Sequence, residues 1–325
     1  MLELNEIFVP VDFSGASRTS LAVARGLADR KRAQLRVVHA VPDLLRYFER
    51  TLFPLAGLGD DRMEIVAEVR KSARRDLVRY HHLQKSAPRS EEGEAPPNVP
   101  FEVDVLVDKT PCAVQLADRL TSSTAELVVV GRSGRDEAQP GRIGSVAAAL
   151  CAVSTRPVWV AQPTESGPVQ RVLIALDLSP QSAHVLRAGM EMAVVLGVRA
   201  ELVVVAPPVG FGDVNGIVGR ALRIDQKAVR GKIKREIAKV LDRLQQDLDL
   251  PFSAKDQLEQ LEVVRQILQG DPVEELVKVA DAGESDLLVV GATGQRDAAL
   301  PRGLGRVAQA LIASVPCHVL VVPAQ

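Results

Sequence analysis

The sequence predicts an α/β protein of two tandem units, each a doubly wound parallel five-stranded sheet with helices on both faces. Three observations carry this. The chain has 325 residues, too many for one ordinary core and suited to two domains of about 150. Its apolar share is 46%, made of Val, Leu, Ala and Ile with only seven Phe, two Tyr and one Trp, the composition of buried parallel strands under helices. Third, the chain is written twice.

The repeat runs collinearly through both halves. Ile7–Ser14 (IFVPVDFS) aligns with Val172–Ser179 (VLIALDLS), and Leu35–Pro42 with Leu202–Pro207. Asp108 and Pro111 match Asp271 and Pro272, each placing an acidic residue and a proline at a helix start. Glu126–Gly134 (ELVVVGRSG) matches Asp286–Gly294 (DLLVVGATG), and the closing runs Arg156–Val160 and Pro316–Val322 match last. The join is a short polar Pro/Gly/Ser stretch, so the units are expected at 1–162 and 170–325 with a linker at 163–169.

Within each unit, apolar runs alternate with helical patterns. Strands are expected near 5–12, 35–41, 101–107, 126–131 and 157–161, and helices near 15–32, 61–84, 111–122 and 144–153. In the second copy, strands are expected near 171–177, 200–206, 262–268, 286–291 and 317–322, with helices between, including a charged one near 217–248. Alternating strand and helix implies right-handed βαβ units and a parallel sheet. The charged, Pro-rich segment Gln84–Asn98 reads as a surface loop without a counterpart in the second copy.

Composition also excludes partners and compartments. Lys plus Arg total 40 against 41 Asp plus Glu, a net charge of −1, so no bulk attraction to nucleic acid or an anionic membrane is expected. The three cysteines, Cys112, Cys151 and Cys317, are widely spaced with no C-x-x-C pair, which argues against a disulfide framework or zinc site. No apolar run approaches the roughly 18 residues of a membrane span, and the first residues carry no leader pattern. The expectation is a soluble, cytoplasmic protein.

The residues with the most chemistry follow the run Glu126–Val130. Gly131-Arg132-Ser133-Gly134 comes first, and nine residues later Gly144-Ser145-Val146 opens a helix. Glycines at a strand end let backbone amides approach an anion without interference from Cβ. A helix start adds unpaired N–H groups and the positive end of its dipole. The location is that of ligands in open parallel sheets, beyond the carboxyl ends of the strands. Arg132, Arg135 and Arg142 offer charge-assisted contacts to phosphate.

These motifs carry a family resemblance. Val11-Asp12-x-Ser14, Asp108-x-Thr110-Pro111, the Gly131-x-x-Gly134 turn with Gly144-Ser145-Val146, and Pro157-Val158-x-Val160 make both copies resemble universal stress protein (UspA) domains across nearly the full chain. The resemblance implies an adenine-nucleotide alpha-hydrolase-like, Rossmann-like fold. The family's nucleotide signature, G-x2-G-x9-G-(S/T), is met in full by Gly131, Gly134, Gly144 and Ser145. It implies that these residues hold the phosphates of ATP, with Mg2+ or Mn2+. It also implies that Asp12 bonds the adenosine portion and that backbone groups of Val41 meet the adenine edge. On the residues themselves, a carboxylate serves ribose or base donors and repels triphosphate, so Asp12 is expected at the opposite end of the site from the glycines.

The second copy departs from the signature. It keeps Asp177, Gly291 and Gly294, but Leu304 holds the expected glycine position; Gly305 comes one residue late and Arg306 replaces the Ser or Thr. Two readings stay open. Arg306 fills a dead site, or an extended loop still binds nucleotide with Arg306 in place of the metal and Val204 or Val205 at the adenine edge.

Three function classes remain: an adenine-nucleotide-binding stress or regulatory protein, a slow ATPase, and a nucleotide-free interaction scaffold. The first is favoured. No base sits at recognisable spacing from a nucleophile and no metal-ligand cluster is seen, so no catalytic residue is assigned. There is no G-x-x-x-x-G-K-(S/T), and Gly303-x-Gly305-x-x-Ala308 does not directly follow a strand, so neither a P-loop nor a dinucleotide fingerprint is read. His81-His82 are adjacent on a helix and share no face; His39 and His318 read as structural. Cys112 lies at a helix start, where a thiol pKa can fall, but buried packing is favoured over a redox role. The apolar closing strands predict an intramolecular pseudo-dimer of the two units, with a homodimer as a further step.

Overall fold

A computed structural model describes residues 4–41, 62–84, 99–108, 110–134, 142–162, 169–206, seven positions between 231 and 243, 262–281, 287–294 and 303–324. Arg135, positions 163–168 of the predicted linker, nearly all of the Gln84–Asn98 segment and most of the predicted 217–248 helix lie outside these residues. The chain forms two compact units, Glu3–Pro163 and Thr164–Gln325.

In the first unit, the elements run β1 (Glu6–Pro10), α1 (Gly15–Lys31), β2 (Gln34–Val41), α2 (Arg62–Gln84), β3 (Phe101–Val107), α3 (Cys112–Thr121), β4 (Leu127–Gly131), α4 (Ser145–Val153) and β5 (Val158–Ala161). Every predicted strand is found: β3 at its predicted limits, β2 one residue longer, and β1, β4 and β5 shortened by one or two residues at an end. The strands are parallel, in the order β3-β2-β1-β4-β5. The chain therefore winds outward from β1 through β2 to β3, then returns to β4 on the other side. Right-handed crossovers put α1 and α2 on one face and α3 and α4 on the other. That double cover explains why β1, β4 and β5 are buried at every position and read as unbroken apolar runs.

The second unit repeats the plan with β6 (Arg171–Leu176), α5 (Ser182–Leu196), β7 (Arg199–Ala206), β8 (Val263–Gln269), α6 (Pro272–Asp281), β9 (Leu287–Gly291), α7 (Arg306–Ser314) and β10 (His318–Val322). Its order is β10-β9-β6-β7-β8, again parallel. Leu173, Ile174, Leu186 and Met192 fill its centre, as Ile7, Phe8, Leu21 and Leu35 fill the first. α5 stops where Gly197 turns left-handed at φ 68°.

Both units place a switch point where winding reverses, between β1 and β4 and between β6 and β9. Ile7 pairs with Leu127 and Phe8 with Val128, so the two strands end side by side at the same edge. Val172 pairs with Leu287 in the same way.

Candidate functional site

The first turn after β1 is built around Asp12. Its Oδ1 accepts from the Ser14 N–H at 3.0 Å and from the Ser17 hydroxyl at 2.5 Å. The Asp12 N–H in turn donates to Ser17 Oγ at 3.0 Å. Ser14 caps α1, its Oγ accepting from the Ser17 N–H at 3.2 Å. This closed turn forces Phe13 into the left-handed region at φ 66°, unusual for a non-glycine residue and costly by about 1 kcal/mol or more. The Phe13 ring meets His39 at 4.7 Å and Tyr80 edge-on at 5.3 Å. Tyr80, on α2, donates from its hydroxyl to the Ser14 carbonyl at 3.2 Å, and burial pushes its pKa up to about 12. His39 Nδ1 lies 2.6 Å from the Val11 carbonyl.

Across the switch point, Gly131 lies against α1: a Cβ there would stand 2.8 Å from Ala16. A Cβ on Gly134 would stand 3.0 Å from Asp12 Oδ2, and one on Gly144 would stand 3.1 Å from the Arg132 carbonyl. The Gly144 N–H donates to that carbonyl at 2.7 Å, tying the start of α4 to the end of β4. Helix α4 has no side-chain N-cap and no acidic residue in its first turn, and its first intrahelical bond is from Ala148 N–H to Gly144. The N–H groups of Ser145, Val146 and Ala147 thus precede the helical ladder, the arrangement that receives an anion. Ser145 is exposed and Val146 half-buried. Arg132 is half-buried, and desolvation lowers its pKa; Arg142 is exposed at the same loop.

One expectation is corrected. Asp12 does not lie at the opposite end from the glycines; its Oδ2 faces Gly134. The adjacent, parallel β1 and β4 end together, and strand geometry outweighs the charge argument that separated them. Val41 is buried at the end of β2, opposite Val107 of β3. Its carbonyl lies 3.5 Å from Gln115 Nε2, which also donates to the carbonyls of Asp108 at 3.2 Å and Thr110 at 2.8 Å. Burial pushes the Cys112 pKa up, and its thiol donates to the Ala40 carbonyl at 3.5 Å.

The second unit reproduces the turn and the cradle. Asp177 Oδ1 accepts from the Ser179 N–H at 3.0 Å and the Ser182 hydroxyl at 3.1 Å, Leu178 is left-handed at φ 58°, and a Cβ on Gly294 would stand 2.9 Å from Asp177 Oδ2. Gly291 closes β9. The Gly305 N–H donates to the Ala292 carbonyl at 2.7 Å, so Gly305 and not Leu304 is the counterpart of Gly144. The extra residue is absorbed between Gly294 and Gly305, and the helix start is kept in place. What changes is the side chains: Arg306 stands for Ser145 and Ala292 for Arg132. Val204 pairs with Leu176 and is buried, and Val205 follows it on β7.

Sequence reasoning missed Ser17, Ser182 and Tyr80. The two serines were visible as a shared D-x-S-x-x-S spacing; Tyr80 comes from a separate helix and left no local signal. Among the described residues, no group of three or more His, Cys, Asp or Glu is placed to hold a metal, and no helix is long and apolar enough to cross a membrane. A shallow cleft of about 380 Å3 lined by Val169, Gln170, Gly197, Val198 and Arg199 lies at the amino ends of β6 and β7, away from Asp177.

The profile of the Universal stress protein family matches the chain twice, over residues 3–162 and 168–323. The chain belongs to this family. A universal stress protein from Archaeoglobus fulgidus DSM 4304 superposes with a TM-score of 0.59 at 15% identity, covering 99% of each chain. A putative universal stress protein from Pseudomonas aeruginosa UCBPP-PA14 gives 0.60 at 11% identity, covering 99% of this chain and 94% of its own. A functionally unknown protein from P. aeruginosa PAO1 gives 0.61 at 11%, covering 99% and 93%. At these identities the likeness speaks for the fold. No curated protein matches the chain significantly.

Proposed function

We propose that this universal stress protein is a cytoplasmic regulatory or stress-response protein that binds one adenine nucleotide, ATP with Mg2+ or Mn2+, in its first unit. The observation that carries the reading is the convergence at one strand edge of Gly131, Gly134, Gly144 and Ser145 with the uncapped start of α4. Backbone N–H groups there match phosphate oxygens, Arg132 and Arg142 supply positive charge, and the Ser145 hydroxyl suits a phosphate or its cation. In this reading Asp12, adjoining Gly134, meets a ribose hydroxyl or a cation held by the phosphates, and Val41 meets the base edge. The second unit keeps its backbone cradle, but Arg306 replaces the hydroxyl, and we assign it no nucleotide. The unit limits 1–162 and 170–325, the pseudo-dimer and a homodimer belong to the same proposal and rest on the repeat and its apolar closing strands.

The test is isothermal titration of ATP with and without Mg2+. One site per chain is expected, lost on Gly144→Glu with Ser145→Glu. Titration without heat, or equal binding by the double variant, overturns the reading. Mass spectrometry of small molecules released from purified protein identifies the nucleotide.

A further inference from the structure

The two units carry the same buried ion pair with its charges exchanged. In the first, Glu6 of β1 pairs with Arg36 of β2, Nε to Oε1 at 2.6 Å, with side chains 9% and 18% exposed. In the second, Arg171 of β6 pairs with Glu201 of β7 at 2.6 Å, with side chains 11% and 6% exposed. The register makes the positions equivalent: Glu6 faces Gln34 and Phe8 faces Arg36, as Arg171 faces Arg199 and Leu173 faces Glu201. Acid and base have changed strands.

The apolar centres of these strands are alike. Ile7-Phe8-Val9 of β1 stands against Val172-Leu173-Ile174 of β6, and Val37-Val38 of β2 against Leu202-Val203 of β7, all buried and apolar. By packing alone, β1 would fit beside β7 and β6 beside β2. Charge forbids it: β1 beside β7 brings Glu6 to Glu201, and β6 beside β2 brings Arg171 to Arg36. Two like charges would then meet in a largely closed sheet interior without the counter-charge across the strand pair, with Thr124 beside Glu6, Gln266 beside Glu201, and Glu102 and Asp104 beside Arg36. Arg36 holds the Glu6 carboxyl below the usual carboxylate range despite burial, so the carboxylate is kept charged. Buried ion pairs add little to stability over apolar side chains, whereas fixing which partner is chosen is their best-attested use. Tandem homologous units are also the chains most exposed to exchange of elements between units or between molecules.

We propose that the reversed pairs are a strand address: they direct β1 to β2 and β6 to β7, and disfavour exchange between units within one chain and between chains.

Refolding from urea tests this with four full-length proteins: the wild type, the unit 2 exchange (Arg171→Glu with Glu201→Arg), the unit 1 exchange (Glu6→Arg with Arg36→Glu), and both exchanges together. Native monomer or native oligomer is separated from strand-exchanged species by size-exclusion chromatography with light scattering. Each single exchange keeps its own pair matched but gives both units the same orientation, so yield is expected to fall roughly threefold or more with new exchanged oligomers. Exchanging both units restores opposite orientations and is expected to refold better than either single exchange. Glu102 and Asp104 neighbour Arg36, so the unit 1 exchange carries a local penalty, which the double exchange shares. The proposal is overturned if the double exchange does no better than the worse single one, or if the single exchanges refold like the wild type.

Discussion

Ser17→Ala isolates the turn that sets Asp12. The substitution removes a 2.5 Å hydrogen bond from the Ser17 hydroxyl to the carboxylate and leaves the Asp12 N–H without its 3.0 Å acceptor. A charge-assisted bond contributes about 1.5–3 kcal/mol and a neutral one about 1. Alanine returns roughly 0.5 kcal/mol of helix propensity in the first turn of α1. The expected net loss is about 2–3 kcal/mol in the first unit. The twin substitution, Ser182→Ala, removes a longer 3.1 Å bond to Asp177 and should cost about half as much. Urea denaturation followed by amide hydrogen exchange reads the units separately, since protection in α1 and α5 reports each one. The ranking is the critical part. If Ser182→Ala costs as much as Ser17→Ala, or both cost less than about 0.5 kcal/mol, the turns are not held by these hydroxyls and the reasoning fails. Under the proposed function, Ser17→Ala also weakens ATP binding, and Ser182→Ala leaves it unchanged.

Two further outcomes are expected. His318, buried in β10, has its pKa lowered by desolvation to about 4, against 6.5 when free. A base depressed in the folded state binds protons more readily when unfolded. Stability from this group is full above pH 6.5 and falls as pH drops from 6.5 towards 4, the loss reaching about 2 kcal/mol by pH 5. His318→Val should flatten the second unit's urea midpoint between pH 7 and pH 5, and an unchanged slope would refute the assignment. Tyr80→Phe removes the bond to the Ser14 carbonyl but keeps the ring contact with Phe13, so a loss of about 1 kcal/mol is expected by thermal denaturation. No loss on Tyr80→Phe beside a clear loss on Tyr80→Ala would place the tyrosine's contribution in its ring instead.

The elements were legible because doubly covered strands are apolar on both faces. β4 and β9 stand in the sequence as LVVV and LLVV, bounded by the glycines that end them. The phosphate-type cradle was legible for a similar reason, since Gly131, Gly134 and Gly144 sit where a Cβ would meet protein atoms at 3.1 Å or less. Its relation to Asp12 was not. Charge alone set the carboxylate apart, whereas the order β2-β1-β4 brings the strand ends together. The sequence showed Gly305 one residue late; the hydrogen bond that makes it the counterpart of Gly144 despite the longer loop was not legible there. Phe13 and Leu178 gave no sign of left-handed backbone; that conformation comes from the aspartate turn around them and not from their own preference. Glu6 and Arg171 lie inside predicted strands, but which charge each one meets depends on the pairing of strands 30 residues apart, which no local pattern reveals.

The strand order has a consequence for synthesis. β1 lies at the centre of its sheet, yet its second neighbour, β4, begins only at Leu127. At about 5–20 residues per second, one flank of β1 stays open for roughly 5–20 s after β2 is made. The last strand of that sheet, β5, ends at Ala161, before Arg171 opens β6. A chain growing from its amino end therefore has the full strand set of its first half before any competing strand exists. A chain diluted from denaturant has no such head start, and both halves search at once.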